Sequence, residues 1–163
     1  MKEAEQLVAQ LKQNGLVITA MESCTGGALM NAITSVEGAS NVTQGGYVTY
    51  SNTQKVRVGV SPAVIERYGV YSQECAQEMA RAARADMDAD IGIGITGTLS
   101  NVDPSNPDSK PGEVHWAVVE RDVVSVSRTI TVPIMDRSLQ KEYIVQAVLK
   151  DALNLTEILA EIR

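Results

Sequence analysis

Apolar residues recur along this chain with two periods, and the switches between them outline a fold. Ala4, Leu7, Val8 and Leu11 mark one face of an opening helix that Asn14-Gly15 closes. The run Leu16-Val17-Ile18-Thr19-Ala20 reads as a buried strand. The glycines of Glu22-Ser23-Cys24-Thr25-Gly26-Gly27 make a tight turn, and Ala28-Leu29-Met30-Asn31-Ala32-Ile33 begins a helix. Gly45-Gly46-Tyr47-Val48-Thr49-Tyr50 alternates like a second strand and leads into a helix capped by Ser51 or Asn52. Ser61-Pro62 opens a short helix. Ser72 opens a longer one, with Cys75, Met79, Ala83 and Met87 as its apolar stripe.

Ile91-Gly92-Ile93-Gly94-Ile95 is a third buried strand, whose glycines imply close approach of another backbone or a ligand. Strands over Glu113–Val119 and Val123–Val132 pair as a hairpin around Arg121-Asp122. Asp136 caps a long last helix with Tyr143, Ile144, Ala147, Val148 and Ile158 on its buried side. Strands mostly alternate with helices, which predicts an α/β fold: a three-layer α/β/α sandwich with a mixed, mostly parallel sheet. No repeat, linker or low-complexity tail divides residues 1–163, so a single domain is expected. The one long irregular segment runs from Thr96 to Gly112, a length typical of functional loops.

Composition narrows the function classes. The 163 residues include no Phe and one Trp, so the core is aliphatic and stacking platforms for bases are scarce. A net charge of −6 argues against a nucleic-acid-binding protein, which normally carries a basic patch. An anionic substrate must be held by local donors against this field. Two cysteines, Cys24 and Cys75, make neither a disulfide framework nor a metal site. No signal peptide or long apolar span is visible, so no membrane association is expected and the expected compartment is the cytoplasm. The single histidine, His115, sits in a strand pattern and reads as structural, and no aspartate-rich loop suggests a metal.

The chemistry concentrates in the first glycine turn. Ser23, Cys24 and Thr25 are delivered to a helix N-terminus, where nucleophiles and phosphate cradles occur and where small hydroxyls also make ordinary caps. On this turn alone the readings stay open, Cys24 as a nucleophile included. If the first two strands are parallel neighbours, Lys55 stands one helical turn into the second helix and can reach back to Ser23. A hydrolase serine without a histidine partner needs another base, and a desolvated lysine serves.

Together with Gly38-Ala39-Ser40, Gly46-Tyr47-Val48-Thr49-Tyr50-Ser51-Asn52, Ile95-Thr96-Gly97 and Pro111-Gly112-Glu113-Val114, these stretches resemble the nicotinamide-nucleotide amidases. That is the family of the C-terminal domain of the competence/damage-inducible protein CinA, and the similarity covers nearly the whole chain. The resemblance implies hydrolysis of the carboxamide of nicotinamide mononucleotide to nicotinate mononucleotide and ammonia, without metal or organic cofactor. Ser23 would be the nucleophile and Lys55 its base, with a pKa lowered from about 10.4 towards 7–8 by burial. Tyr50 and Thr96 would relay protons or hold the amide, and Gly97 would share their pocket. N–H groups of the turn around Thr25 and Gly26 would stabilise the oxyanion, and Gly27 of the same turn would help bind the substrate. Glu22 would orient Lys55 or the turn, or merely cap the helix or face solvent, and Arg137 would meet the substrate phosphate.

One departure stands out. Family members commonly carry Ile-Ala-Gly-Pro after the Thr-Gly pair, where this chain has Thr98-Leu99-Ser100-Asn101-Val102-Asp103. A non-catalytic nucleotide-binding relative, or an amidase for another small carboxamide, therefore remains an alternative. A homodimer is expected, partly from the resemblance and partly because Leu149, Leu153, Leu155, Leu159 and Ile162 widen the apolar surface of the last helix.

Overall fold

The computed structural model describes residues 1–162 and contains a five-stranded sheet in the order β2-β1-β3-β4-β5. The strands are β1 (Ile18–Glu22), β2 (Tyr47–Val48), β3 (Ile91–Gly97), β4 (Glu113–Glu120) and β5 (Val123–Thr131). β1 pairs in parallel with both β2 and β3, whereas β4 runs antiparallel to β3 and β5. All strands except β4 therefore point the same way, as the alternation of strands and helices predicts.

Helices cover both faces. α1 (Lys2–Asn14), α2 (Ala28–Thr34) and α6 (Arg137–Glu161) pack together on one side. α3 (Asn52–Val58), α4 (Pro62–Tyr68) and α5 (Gln73–Met87) form the other, with α5 laid across β1, β3 and β4. The contact is close because β3 has no side chain where α5 crosses it. A Cβ at Gly92 would lie 2.2 Å from the Ala80 carbonyl oxygen, and one at Gly94 would lie 2.1 Å from that of Ala76. Two aliphatic clusters result, a large one beneath α1, α2 and α6 and a smaller one around Met21, Cys75 and Met79.

Several boundaries depart from the apolar pattern. β1 begins at Ile18 rather than Leu16, because the Leu16 N–H still bonds to Leu11 and the Val17 N–H to the Asp90 carboxylate. β2 shrinks to two residues at the sheet edge, although the Thr49 N–H continues its ladder to Glu22. Asp136 holds the N-cap position of α6 without a side-chain hydrogen bond. On α6, Tyr143 and Ile158 are exposed rather than buried, whereas Leu149, Leu153 and Leu155 lie in the domain's own core. The face offered as a dimer surface is thus largely covered from within. Ile162 stays exposed and Leu159 is partly packed.

Candidate active site

The parallel strands β2, β1 and β3 bring their carboxyl ends together, the place where open α/β sheets bind ligands. A cavity of about 560 Å³ opens there. Its walls come from the turn after β1 (Ser23, Cys24), the start of α3 (Tyr50, Asn52, Lys55), Tyr71, the segment after β3 and Arg137.

Ser23 follows the last residue of β1, and its N–H extends the ladder by donating to Ile95 O at 3.0 Å. Ser51 caps α3, its Oγ accepting from the Gln54 N–H at 3.1 Å. Lys55 therefore points inward from the first turns of a short, well-started helix. Its Nζ donates to Ser23 Oγ at 3.2 Å and to the Thr49 carbonyl at 2.8 Å. The residue is only 2% exposed and forms no ion pair among the described residues. Burial pushes its pKa down, against an upward pull from Cys75, Cys24 and Asp103. A neutral Lys55 amine has two N–H donors and one lone pair. One donor satisfies Thr49, and the lone pair can take the Ser23 proton.

Cys24 lies beside this pair but is buried, and burial raises its thiol to about 12. It is a protonated, apolar wall rather than a thiolate. His115 sits on β4 outside the cavity, between Thr129 and Glu113, with its pKa lowered by burial.

The remaining expected site residues divide. Tyr50, Gly97 and Arg137 line the cavity, and Arg137 Nη2 donates to Tyr50 Oη at 3.0 Å. Thr96 does not line it: it is fully buried and its Oγ1 donates to Val70 O at 2.9 Å, tying the end of β3 to the segment before Tyr71. Glu22 neither reaches Lys55 nor faces the cavity. Its carboxylate turns under α2 and accepts from the N–H groups of Leu29 at 2.9 Å and Met30 at 3.0 Å. Thr25 is equally inward, its Oγ1 donating to Glu22 at 2.6 Å. Gly26 and Gly27 shape the turn through φ of 60° and 99° but lie off the cavity wall. The Gly26 N–H is already bonded to Ser23 O, which removes it as an oxyanion donor. The N–H groups of Cys24 and Thr25 donate to no other residue among the described residues, and Cys24 faces the cavity.

Sequence reasoning missed a second layer. Asp103, Asn106 and Tyr71 also line the cavity, with Asp103 Oδ2 accepting from Tyr71 Oη at 2.6 Å and from Asn106 Nδ2 at 2.8 Å. The signal was the Asp103-Pro104-Ser105-Asn106 turn sequence, whose aspartate side chain closes its own loop by accepting the Ser105 N–H at 2.9 Å. Lys141, one turn beyond Arg137 on α6, was also missed; its Nζ comes within 3.1 Å of where a Gly26 Cβ would lie.

A model of the CinA C-terminal domain matches residues 1–157. The chain belongs to that family. The nicotinamide-nucleotide amidohydrolase PncC of Shewanella oneidensis is 38% identical over 137 residues, 83% of this chain and 32% of its own. A CinA-like protein of a Shewanella species is 36% identical over 97% of this chain and 37% of its own. The chain thus spans about a third of the length of these curated relatives. The crystal structure of a competence or damage-inducible protein from Enterobacter asburiae superposes with a TM-score of 0.85 at 30% identity, covering 95% of this chain and 96% of the other. This CinA family member therefore shares the family fold over 95% of its length. Among its described residues no helix is long and apolar enough to cross a membrane, and no cluster of three metal-ligating side chains forms.

Proposed function

We propose that this chain is an amidohydrolase that deamidates nicotinamide mononucleotide to nicotinate mononucleotide and ammonia. The observation that carries the reading is the buried contact between Lys55 Nζ and Ser23 Oγ on the wall of a cavity large enough for a mononucleotide. Neutral Lys55 accepts the Ser23 proton as Oγ attacks the carboxamide carbon. The tetrahedral oxyanion meets the Cys24 N–H, the donor that follows the nucleophile. Lys55 then passes its proton to the leaving ammonia, and water hydrolyses the acyl-serine by the same route. Tyr50, which accepts a hydrogen bond from Arg137, lines the cavity that receives the carboxamide nucleotide.

Arg137 and Lys141 are the natural partners of the phosphate. Neither forms an ion pair among the described residues, and both stand next to the Ser23–Gly27 turn or the cavity beside it. Glu22 already fills the N-terminus of α2, so that helix end is closed to the phosphate. No metal or organic cofactor takes part in these steps. Residues 1–163 act as one domain in the cytoplasm, and self-association as a homodimer is the reading to test by light scattering across a dilution series. A monomer mass at every micromolar concentration would refute it.

An amidase for a different small carboxamide is the second reading. It is favoured by the segment after Gly97, which supplies much of the wall and departs from the family pattern. The deciding experiment is ammonia release from nicotinamide mononucleotide, with nicotinamide and NAD as controls. Release from the mononucleotide alone supports the proposal, and its absence from folded protein overturns it.

A further inference from the structure

Asp103 is the one carboxylate on the cavity wall among the described residues. Three donors hold it: Tyr71 Oη at 2.6 Å, Asn106 Nδ2 at 2.8 Å and the Ser105 N–H at 2.9 Å. Those hydrogen bonds keep its pKa below the ordinary carboxylate value, Tyr71 contributing most. Burial and the Asp103 charge push the Tyr71 hydroxyl the other way, so it stays a donor. The result is a fixed anion facing the same space as the Ser23 hydroxyl, while the cation Arg137 lines it from α6.

A fixed anion in a cavity is unfavourable for a purely anionic ligand and favourable for one with a positive centre. In a loop that only needed closing, the single backbone acceptor bond to Ser105 would serve, and an asparagine would make it. The donors from Tyr71 and Asn106 instead fix the orientation of a full charge.

We propose that Asp103 is a specificity-determining residue that selects ligands carrying a positively charged heteroaromatic ring, and that the loop bearing it sets this preference. The inference rests on the deamidase reading, which names the ligand: the pyridinium ring of nicotinamide mononucleotide is such a cation. Arg137, which also lines the cavity, suits the phosphate of the same zwitterion. The ring cation placed near Asp103 also leaves Lys55 facing another positive charge, which favours its neutral, proton-accepting form.

The test compares two ligands of nearly one shape, nicotinamide mononucleotide and its reduced form with an uncharged dihydropyridine ring. Affinities are measured by calorimetry on protein carrying Ser23→Ala to prevent turnover. The expected result is a preference of about tenfold for the charged ring, the size of a modest desolvated ion contact. Asp103→Asn should erase most of that preference while leaving affinity for the reduced form within about twofold. Tyr71→Phe, which keeps the charge and removes one donor, should retain the preference and guards against a loop-folding artefact. Equal binding of both forms to the parent protein, or an unchanged preference in Asp103→Asn, would overturn the role of Asp103 alone. Binding of neither nucleotide would sink the deamidase reading and this inference with it.

Discussion

Two parts of the molecule face one cavity and are built in opposite ways. The turns after β1 and β2 carry Ser23 and Lys55 on regular structure: a parallel ladder fixes the backbone at Ser23, and a serine cap starts the helix of Lys55. The segment from Thr98 to Pro111 has no helix or ladder of its own beyond an isolated bridge between Asp103 and Asn106. It is held by a few backbone turn and neck bonds and by side chains, with Asp103 at the centre. On the proposed mechanism, groups that need sub-ångström placement stand on the scaffold, and the proposed ligand-selecting Asp103 stands on the part free to change without disturbing the sheet.

If that division holds, the largest effects come from the scaffold pair. Ser23→Ala and Lys55→Met should each lower kcat/KM by about a thousandfold or more, and the double variant should be little worse than either single one. Additive losses would show that the two residues do not act as a unit. Substantial turnover by Ser23→Ala would point to Cys24, against its raised pKa of about 12.

Glu22 gives the next effect, on stability. Glu22→Ala leaves the N–H groups of Leu29 and Met30 and the Thr25 hydroxyl without their buried acceptor. A loss of about 3 kcal/mol in unfolding free energy is expected by denaturant titration. A loss under about 1 kcal/mol would mean that the turn is held by its glycines and strand pairing alone.

Lys55 links the same site to pH. Its folded pKa lies below the unfolded value of 10.5, so between the two the unfolded chain binds more protons. Raising the pH through this window therefore favours the folded state. On the proposed mechanism activity rises around the folded pKa, at the lower end of the window, as the amine becomes neutral. The stability of wild type relative to Lys55→Met should improve from pH 7 to pH 10. A difference independent of pH would show that Lys55 has an ordinary pKa.

How much of this was legible follows from the same contrast. Period and punctuation revealed the six α-helices and five strands of the described residues, because Ser51, Ser72, Pro62 and Gly15 act on the backbone within a few residues, but not the 3-10 turn at Ala39–Asn41. The pairing of Ser23 with Lys55 was also within reach, since parallel neighbours align their carboxyl ends. Directions of side chains were not. Glu22 and Thr25 adjoin Ser23 in sequence, yet they turn under α2, and only the three-dimensional turn decides which neighbour faces the cavity. Thr96 aligns with the site but spends its hydroxyl on Val70, a partner 26 residues away. Tyr143 and Ile158 were assigned to the core because a long helix apolar on several sides does not reveal which side its domain covers.

The smallest effect belongs to the neck of the loop. Thr98 Oγ1 donates to Lys110 O at 2.7 Å, joining the two ends of the irregular segment. The same neck is also closed by backbone bonds, Thr98 N–H to Glu113 O and Gly112 N–H to Thr98 O, both at 3.1 Å. Removing the hydroxyl therefore loosens the loop without opening it. Thr98→Val should raise KM about threefold, the equivalent of a weak hydrogen bond near 0.6 kcal/mol, with kcat unchanged because Ser23 and Lys55 stand on separate elements. A fall in kcat of tenfold or more would mean that the loop positions the reacting groups after all, and that the division between scaffold and selector is wrong.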